Sequence, residues 1–487
     1  MNNVDSYIED VVKRGDEDSD LLAALSAPTL RNANYVDIVR EGMNGLAVLR
    51  IDENYLCIVH SDVANGTKRD LGKYAESLVE RLVESSWKIG ATPVGFANVV
   101  DAKKGNKNDI ETIGNALVKK ANEFRIPILN GELAILGDRV SKKANISGTM
   151  ISVINKENVQ FRSPGVFNVD GTAYAVFDHN GKAIWINSDG VGTKTEFYER
   201  LNLWGRGLID SLAMKLDDTI KIGATAHVVS DVVETRFGVP TTRLLRQADS
   251  LSHSLGISYI LQIEETMQDR IKGYKPTAAA YNVSGSVVST IDEERLRNPL
   301  FPREDEFLIA IRGHPNPRSN GITDRRKLMV DLFGNEWHTI PDAEKYAEYL
   351  AQPSIIFYPL FKELIEQGVA TSVYHMSGGA YNGKLAKPLA KHGLYVEIKD
   401  LFIPDSMELI TIGKDTPMEI AYRKYPMGND GFITAKLLNI TEAQKIIENH
   451  GLESKVVGTI ERRIDGVTGV KLTAPSNREI IYFSGKD

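Results

Sequence analysis

A single cysteine, Cys57, serves a chain of 487 residues, and it lies inside the apolar run "YLCIVH". That excludes an internal disulfide framework and a cysteine-based zinc site, and it fits a reducing compartment, so a cytoplasmic location is expected. Long apolar runs are missing as well: none approaches the roughly 18 residues that a membrane span needs. The opening stretch, "MNNVDSYIEDVVKRGDEDSD", is acidic and has no basic segment leading into an apolar one, so no signal peptide is expected there. Positive charge is not in excess either. With 58 Lys and Arg against 65 Asp and Glu, the net charge of −7 offers no general footing for nucleic acid. What is present is the composition of a soluble globular protein, 42% hydrophobic and 25% charged, with a mean hydropathy of −0.22. The length predicts about three domains.

The chain repeats itself. "IVHSDVANGTK" (58–68) returns as "INSDGVGTK" (186–194), and further landmarks follow in the same order. "KIGATPVGFANVV" answers to "KIGATAHVVSDVV", "IPILNGE" to "ISYILQIEE", and "NISGTMISVIN" to "NVSGSVVSTID". Asp62 pairs with Asp189, Gly90 with Gly223, Glu132 with Glu264 and Gly148 with Gly285. Residues 38–156 and 165–291 therefore read as two copies of one domain. In each, β-branched runs such as "AIWINSD" alternate with segments of helical apolar spacing such as "GKYAESLVERLVESSWKIGA". That mixture predicts an α/β or α+β fold. "RSPG" (162–165) marks the joint between the copies, and "RNPLFPRED" (297–305) the boundary of a third, unrepeated domain over 304–470. Residues 1–37 form a charged extension.

Several motifs carry chemistry. In "SDGVGTK", backbone N–H groups of a glycine-rich turn can approach phosphate oxygens closely. Lys194 supplies a point charge, and Asp189 an oxygen ligand for Mg²⁺. The spacing is not that of a P-loop, and a plain turn with a surface Asp and Lys remains the competing reading. "LDDTIKIGA" adds Asp217 and Asp218; neighbours on a helix diverge by about 100°, so at most one is expected to face the pocket of Asp189. The first copy has "SSWKIGA" here and lacks both acids. Conversely, the first copy places Gly131 and Glu132 after "IPIL", where the second reads "LQIEE". In the third domain "NPRSNG" (316–321) and "HMSGGAYNGK" (375–384) are glycine-containing loops, and His375 stands directly against the second. Each of these alone is more often an ordinary loop, and a lone histidine is more often structural than catalytic.

Taken in order, "INSDGVGTK", "AMKLDDTIKIGA", "FLIAIRGHPNPRSNGITDRRKL", "QPSIIFYPLFKELI", "VYHMSGGAYNGKLAKPL" and "AYRKYPMGNDGFI" resemble the aminoimidazole ribonucleotide synthetase (phosphoribosylformylglycinamidine cyclo-ligase) family over residues 165–470. Residues 38–156 look like an extra copy of that family's N-terminal domain. The resemblance implies two N-terminal domains pairing as a pseudodimer β-barrel with flanking helices, followed by one C-terminal α/β domain. It also implies ATP and Mg²⁺ as cofactors and a small-molecule nucleotide as substrate, with no nucleic acid or membrane partner and with a homodimer as a further option. On this basis Asp189, Lys194 and Asp218 are the expected catalytic residues, Asp189 and Asp218 holding the metal. Gly190, Gly192, Thr193, Asp217 and Glu132 are expected at ATP. Ser319, Asn320, Gly321, His375, Ser377, Gly378 and Gly379 are expected along a substrate or phosphate groove.

The chain departs from the family pattern in places. Arg318 replaces the histidine of "HSNG", "SGGA" stands for "TGGG", and "QIEE" for "GGET" in the copy that otherwise looks complete. Three readings stay open: the cyclo-ligase, a relative with another phosphoryl acceptor, and a degenerate nucleotide-binding protein. Relatives that need a reactive cysteine fit poorly, because Cys57 is embedded in an apolar run.

Overall fold

In a computed structural model of the chain, residues 18–32, 35–41, 44–64, 70–158, 165–265 and 270–485 are described. The greater part of the first copy's glycine loop (65–68), residues 162–164 of the expected joint and residues 1–17 of the extension lie outside them. The architecture is mixed α/β and divides into two units, one of residues 1–199 and 224–297, the other of residues 200–223 and 298–487. Among the described residues no helix is long and apolar enough to cross a membrane.

Among the described residues the first unit holds twelve strands in two sheets. They are β1 (Val36–Glu41), β2 (Asn44–Leu49), β3 (Tyr55–Val63), β4 (Thr92–Ala102), β5 (Ile128–Ile135) and β6 (Ala144–Asn155), then β7 (Gly165–Val169), β8 (Thr172–Phe177), β9 (Ala183–Val191), β10 (Thr225–Thr235), β11 (Ser258–Glu264) and β12 (Tyr281–Ile291). One sheet runs β1-β2-β9-β12-β10-β11 and the other β5-β4-β6-β3-β8-β7. Each hairpin has thus crossed to the other sheet: β2 pairs with β9 at Leu49 and Ile184, and β8 pairs with β3 from Cys57–Phe177 to Val59–Ala175. The inner faces bury one apolar layer drawn from both sheets, including Leu49, Val59, Ile151, Ile186, Val228 and Val288. At about 25 cal/mol per Å² of apolar surface, that layer is what ties the halves together.

Helices cover the outer faces for local reasons. The helix Leu71–Lys88 starts where Asp70 accepts hydrogen bonds from the N–H groups of Gly72 and Lys73, and its buried stripe runs through Tyr74, Leu78, Leu82 and Ser86. The helix Lys107–Phe124 is capped in the same way by Asn106.

The register repeats between the halves. Asp62 lies opposite Gly148 as Asp189 lies opposite Gly285, and Gly90 and Gly223 share a φ of +74°. One expected pairing needs correction. Gly148 also faces Asn98, whose successor Val99 faces Glu132; Gly285 faces Asp231, whose successor Val232 faces Gln262. The positional counterpart of Glu132 is therefore Gln262, not Glu264. A bulge in the β4–β5 ladder after Phe96, absent from the β10–β11 ladder, accounts for one of the two positions of difference.

Four buried polar groups meet where the two sheets face each other. Asp101 lies opposite Asn145 within one sheet, and Glu234 opposite Asn282 within the other. Across the sheets, Asn282 Nδ2 donates to Asp101 and, at 3.3 Å, to Glu234, while Asn145 Nδ2 donates to Glu234 at 2.9 Å. Burial raises both carboxyls, Asp101 to about 7 and Glu234 to about 8; Asp189 pushes Asp101 further up and Arg270 pulls Glu234 down. The folded unit therefore binds more protons than the unfolded chain between pH of about 4 and 8, so stability falls as pH rises through that window, by up to about 1.4 kcal/mol per unit for each group. Urea unfolding of wild type and of Asp101→Asn/Glu234→Gln at pH 5.5, 7 and 8.5 checks this. The variant is expected to lose less stability than wild type over that range, and parallel curves would refute the assignment.

The second unit is built on one sheet of order β14-β16-β13-β17-β15-β18-β19, with β13 (Phe307–Arg312), β14 (Ser372–His375), β15 (Tyr395–Ile398), β16 (Gly431–Ala435), β17 (Glu453–Glu461), β18 (Gly469–Thr473) and β19 (Ile480–Phe483). Because β13 and β14 both run antiparallel to β16, they run parallel to each other, and their following loops leave from the same edge. The helix Arg206–Ile220, which carries Asp217 and Asp218, belongs to this unit.

Candidate active site

The loops after β13 and β14 are the "NPRSNG" and "HMSGGA" segments, so the sheet topology brings together two motifs some 60 residues apart. Strand ends of this kind are common ligand sites in α/β folds. The first loop is shaped by Asn316, whose Oδ1 accepts from Arg318 N at 2.8 Å while Arg318 takes a φ of +49°. Gly321 follows at φ +58°, and a Cβ there would come within 2.1 Å of the Tyr425 ring, so only glycine fits. The second loop turns at Gly379, with φ +80°, and Gly378 has open space where a Cβ would stand. Asn320 Nδ2 donates to Met376 O at 3.2 Å and stitches the two loops together. Ser319 Oγ lies 3.5 Å from Asp210 Oδ1, and Ser377 O accepts from Ala380 N at 2.9 Å.

A line of charge runs beneath these loops. His375 Nε2 lies 3.0 Å from Asp218 Oδ1, and His375 Nδ1 lies 3.5 Å from Arg318 Nη2. Arg318 Nη2 in turn donates to Asp217 Oδ2 at 3.1 Å. Lys384 and Lys221 also reach Asp218 Oδ1, at 3.4 and 2.5 Å. Burial drives His375 down to about 3 although Asp218 pulls the other way, so the ring is neutral. With Arg318 able only to donate, Nδ1 is the acceptor and the proton sits on Nε2, facing Asp218. Asp218 is held well below the ordinary carboxylate range, burial being outweighed by Lys221, Lys384 and His375 together. Asp217 is fully buried and is raised to about 7 by that burial, against the pull of Arg318. Nearby Asp430 is likewise raised to about 7 by burial and shares Asn316.

Both adjacent aspartates engage this one histidine region, which 100° of helical divergence alone does not suggest. The imidazole and the Arg318 guanidinium bridge that angle, because donors and acceptors on opposite sides of the ring reach each carboxylate. Arg318, Lys384, Lys221 and Asp430 were absent from the expected site. Lys384 is part of the quoted "YNGKL" motif, and Arg318 was legible only as a departure from the family pattern.

In the first unit the "SDGVGTK" segment differs from expectation. Asp189 and Gly190 belong to strand β9, and only residues 192–194 form the turn. Neither Gly190 nor Gly192 has a positive φ. A Cβ on Gly192 would come within 2.3 Å of Leu136 and 2.8 Å of Asn282, so this glycine admits neighbouring side chains rather than a phosphate. Lys194 is 1% exposed, with its ammonium 5.9 Å from the centre of the Tyr198 ring, and it does not present a free charge at the surface. Thr193 is half-buried. Asp189 Oδ1 accepts from its neighbour Gly190 N at 2.7 Å. Gly131 stands against the Asn98 amide, a contact that leaves little room for a side chain, and Glu132 is half-buried on β5.

The expected Mg²⁺ finds no fitting donor set. Among the described residues no three His, Cys, Asp or Glu side chains gather as a metal site. Asp218 Oδ1, the strongest candidate, already carries two lysines and a histidine, which a cation would have to displace.

Residues 44–154 match the family described as AIR synthase related protein, N-terminal domain. Over that stretch the chain resembles an AIR synthase related domain. The matched stretch falls within residues 38–156, the span expected from the sequence to be a first, reduced copy. Among curated relatives, the phosphoribosylformylglycinamidine cyclo-ligase of Pyrococcus horikoshii is 25% identical over 258 residues, covering 52% of this chain and 72% of that protein. The Thermococcus kodakarensis protein of the same name is 24% identical over 306 residues, covering 61% and 86%. Among solved structures, phosphoribosylformylglycinamidine synthase II from Thermotoga maritima has a TM-score of 0.38 at 12% identity, covering 65% of this chain and 44% of that one. The chain thus spans less than half the length of that synthase. Escherichia coli HypE, a hydrogenase maturation protein, has a TM-score of 0.40 at 13% identity, covering 61% and 84%.

Proposed function

We propose that the chain is an ATP-dependent cyclo-ligase that converts formylglycinamidine ribonucleotide to aminoimidazole ribonucleotide, releasing ADP and phosphate. The observation that carries the reading is the Asp218–His375–Arg318–Asp217 line under the two stitched loops. Those elements are the family's motifs, and relatives of that name match the chain over more than half its length. In this reading residues 38–156 and 165–291 are tandem copies that pair as a pseudodimer barrel. Asp189, Gly190 and Thr193 face the nucleotide, Lys194 and Gly192 hold the turn in place, and Glu132 is contributed by the first copy.

Activating an amide oxygen by phosphoryl transfer depends chiefly on positioning and charge. Asp218, fixed in its ionised form, orients the Lys384 ammonium toward developing negative charge. Neutral His375 keeps Asp218 and Arg318 apart at a set distance and gives up no proton near pH 7. Open backbone at Gly378 lets a phosphate oxygen approach the chain. The amidine nitrogen then attacks the activated carbon, the ring closes and phosphate leaves. No step here is routed through a protein-held metal.

A second reading, the same activation chemistry on a different acceptor, is favoured by Arg318. Where the family pattern has histidine, this arginine is spent on a buried carboxylate, which changes the charge offered to a substrate. Phosphate release from ATP with formylglycinamidine ribonucleotide, in wild type and Asp218→Asn, tests the proposal. Substrate-dependent release that falls by about 100-fold or more in the variant is expected. ATP binding without substrate-dependent release would exclude the cyclo-ligase and leave the second reading.

A further inference from the structure

The first unit contains a cavity of about 450 Å³ with a one-sided charge. Lys103 and Lys104, which follow β4, form one wall; Lys142 and Lys143, which precede β6, form another; and Arg270 closes it. The lining includes one acid, Asp109, already paired with Lys143 at 2.7 Å. Five cations against one carboxylate leave an excess of four positive charges. The walls are fixed by backbone: Lys103 N donates to Lys143 O at 2.9 Å, and Ser141 N to Arg270 O at 2.7 Å.

The floor is built rather than incidental. Arg270 is 6% exposed, and its guanidinium stacks 3.9 Å over the centre of the Tyr74 ring while donating to Ala144 O at 3.3 Å. Tyr74 is fully buried, and its hydroxyl has no hydrogen-bond partner among the described residues. The 18-residue helix Lys107–Phe124 starts at the rim, with its positive end at the cavity. Leu71, Ala144 and the Tyr74 ring add an apolar side.

The corresponding place in the other half is different. By the register that equates Asn98 with Asp231, Lys103 and Lys104 correspond to Arg236 and Phe237, and Phe237 is 78% exposed. The four lysines come from the first half, and Arg270 is contributed by the second.

We infer that this cavity binds a small phosphorylated anion carrying at least two negative charges, such as a diphosphate group on an apolar or aromatic body. The site is separate from the Asp189 segment and does not rest on the cyclo-ligase reading. Multiple lysines suit a mobile polyanion better than one fixed carboxylate, because each ammonium is a compact point charge on a flexible stem. The excess charge also makes binding depend on ionic strength.

Titration calorimetry with inorganic pyrophosphate, with sulfate as control, tests the inference on the full chain. The variant is Lys104→Glu/Lys142→Glu, at two exposed positions, and Asp218→Asn serves as a reference. Wild type and Asp218→Asn are expected to bind pyrophosphate more tightly than sulfate. The double charge reversal is expected to weaken pyrophosphate at least 10-fold with an unchanged unfolding midpoint. Equal affinity in the double variant, or no preference over sulfate in wild type, would overturn the assignment. If pyrophosphate binding instead follows Asp189→Asn and ignores the lysine changes, the anion belongs to the nucleotide segment and the cavity carries no site. Cyclo-ligase activity is scored separately, so its failure leaves this outcome readable.

Discussion

Arg318→Ala is expected to destabilise the second unit by about 3–5 kcal/mol at pH 8. The guanidinium is 2% exposed and the partner Asp217 carboxylate is fully buried, so truncation strands a charge where water does not reach. An exposed pair of the same geometry would contribute about 0–1 kcal/mol, which makes burial the deciding factor. The variant also carries a pH signature. Arg318 pulls the Asp217 carboxyl down, so without it the folded-state value rises further above the unfolded one. A carboxyl raised in this way contributes stability below its unfolded value and loses it as pH climbs through the folded one. The deficit should therefore grow from pH 5 to pH 8 by up to about 1.4 kcal/mol, the cost of holding a proton one unit above the folded value of about 7, with the rest present at both pH values. Urea unfolding at both pH values measures it, and Asp217→Asn on the same background should return most of the loss. A deficit below about 1 kcal/mol at pH 8, or one that does not vary with pH, would mean that Arg318 is not neutralising Asp217.

That arginine also shows how far the sequence could be read. The order of motifs placed "RSNG" and "SGGA" in one family pattern, and the sheet does set the loops that carry them side by side. Helical spacing was legible too, as the helix Leu71–Lys88 shows. What periodicity could not convey is the direction of a buried charge. Asp217 and Asp218 point apart along a helix, and only the imidazole and guanidinium from distant loops reveal that they act as one group. The Gly192 segment misled in the other direction. A glycine that admits Leu136 and Asn282 looks, in one dimension, like a glycine that admits a phosphate. Asp101 and Glu234 gave no signal at all, because each is a single acid in an apolar strand and their meeting depends on how two sheets pack.

The other large effect is expected at Arg139, in the turn after β5. Its guanidinium donates to both carboxylate oxygens of Glu199, to Thr195 Oγ1 at 2.9 Å, and to the carbonyls of Gly192, Lys272 and Tyr281 at 3.2, 2.9 and 3.0 Å. Every donor position of the fork is thereby used, joining the turn after β5 to residues 192–199, 272 and 281. Arg139→Met should cost about 3–5 kcal/mol for the abandoned Glu199 carboxylate, with up to about 1–3 kcal/mol more for each carbonyl left dry. Arg139→Lys should recover little, since one ammonium cannot span a two-oxygen carboxylate and three carbonyls. Arg139→Met/Glu199→Met removes both charges, and the double-mutant cycle is expected to show coupling of about 2–3 kcal/mol. Strictly additive losses would mean that Arg139 acts through its carbonyl contacts and that the ion pair is incidental. Because the same side chain holds Gly192 and Thr195 on either side of Lys194, its loss also releases the turn that follows Asp189. ATP affinity, measured by calorimetry at a temperature where Arg139→Met is still folded, should therefore weaken in the single variant and stay weak in the double. That pattern separates the two roles of one arginine, since the carboxylate pairing is repaired in the double variant and the turn is not.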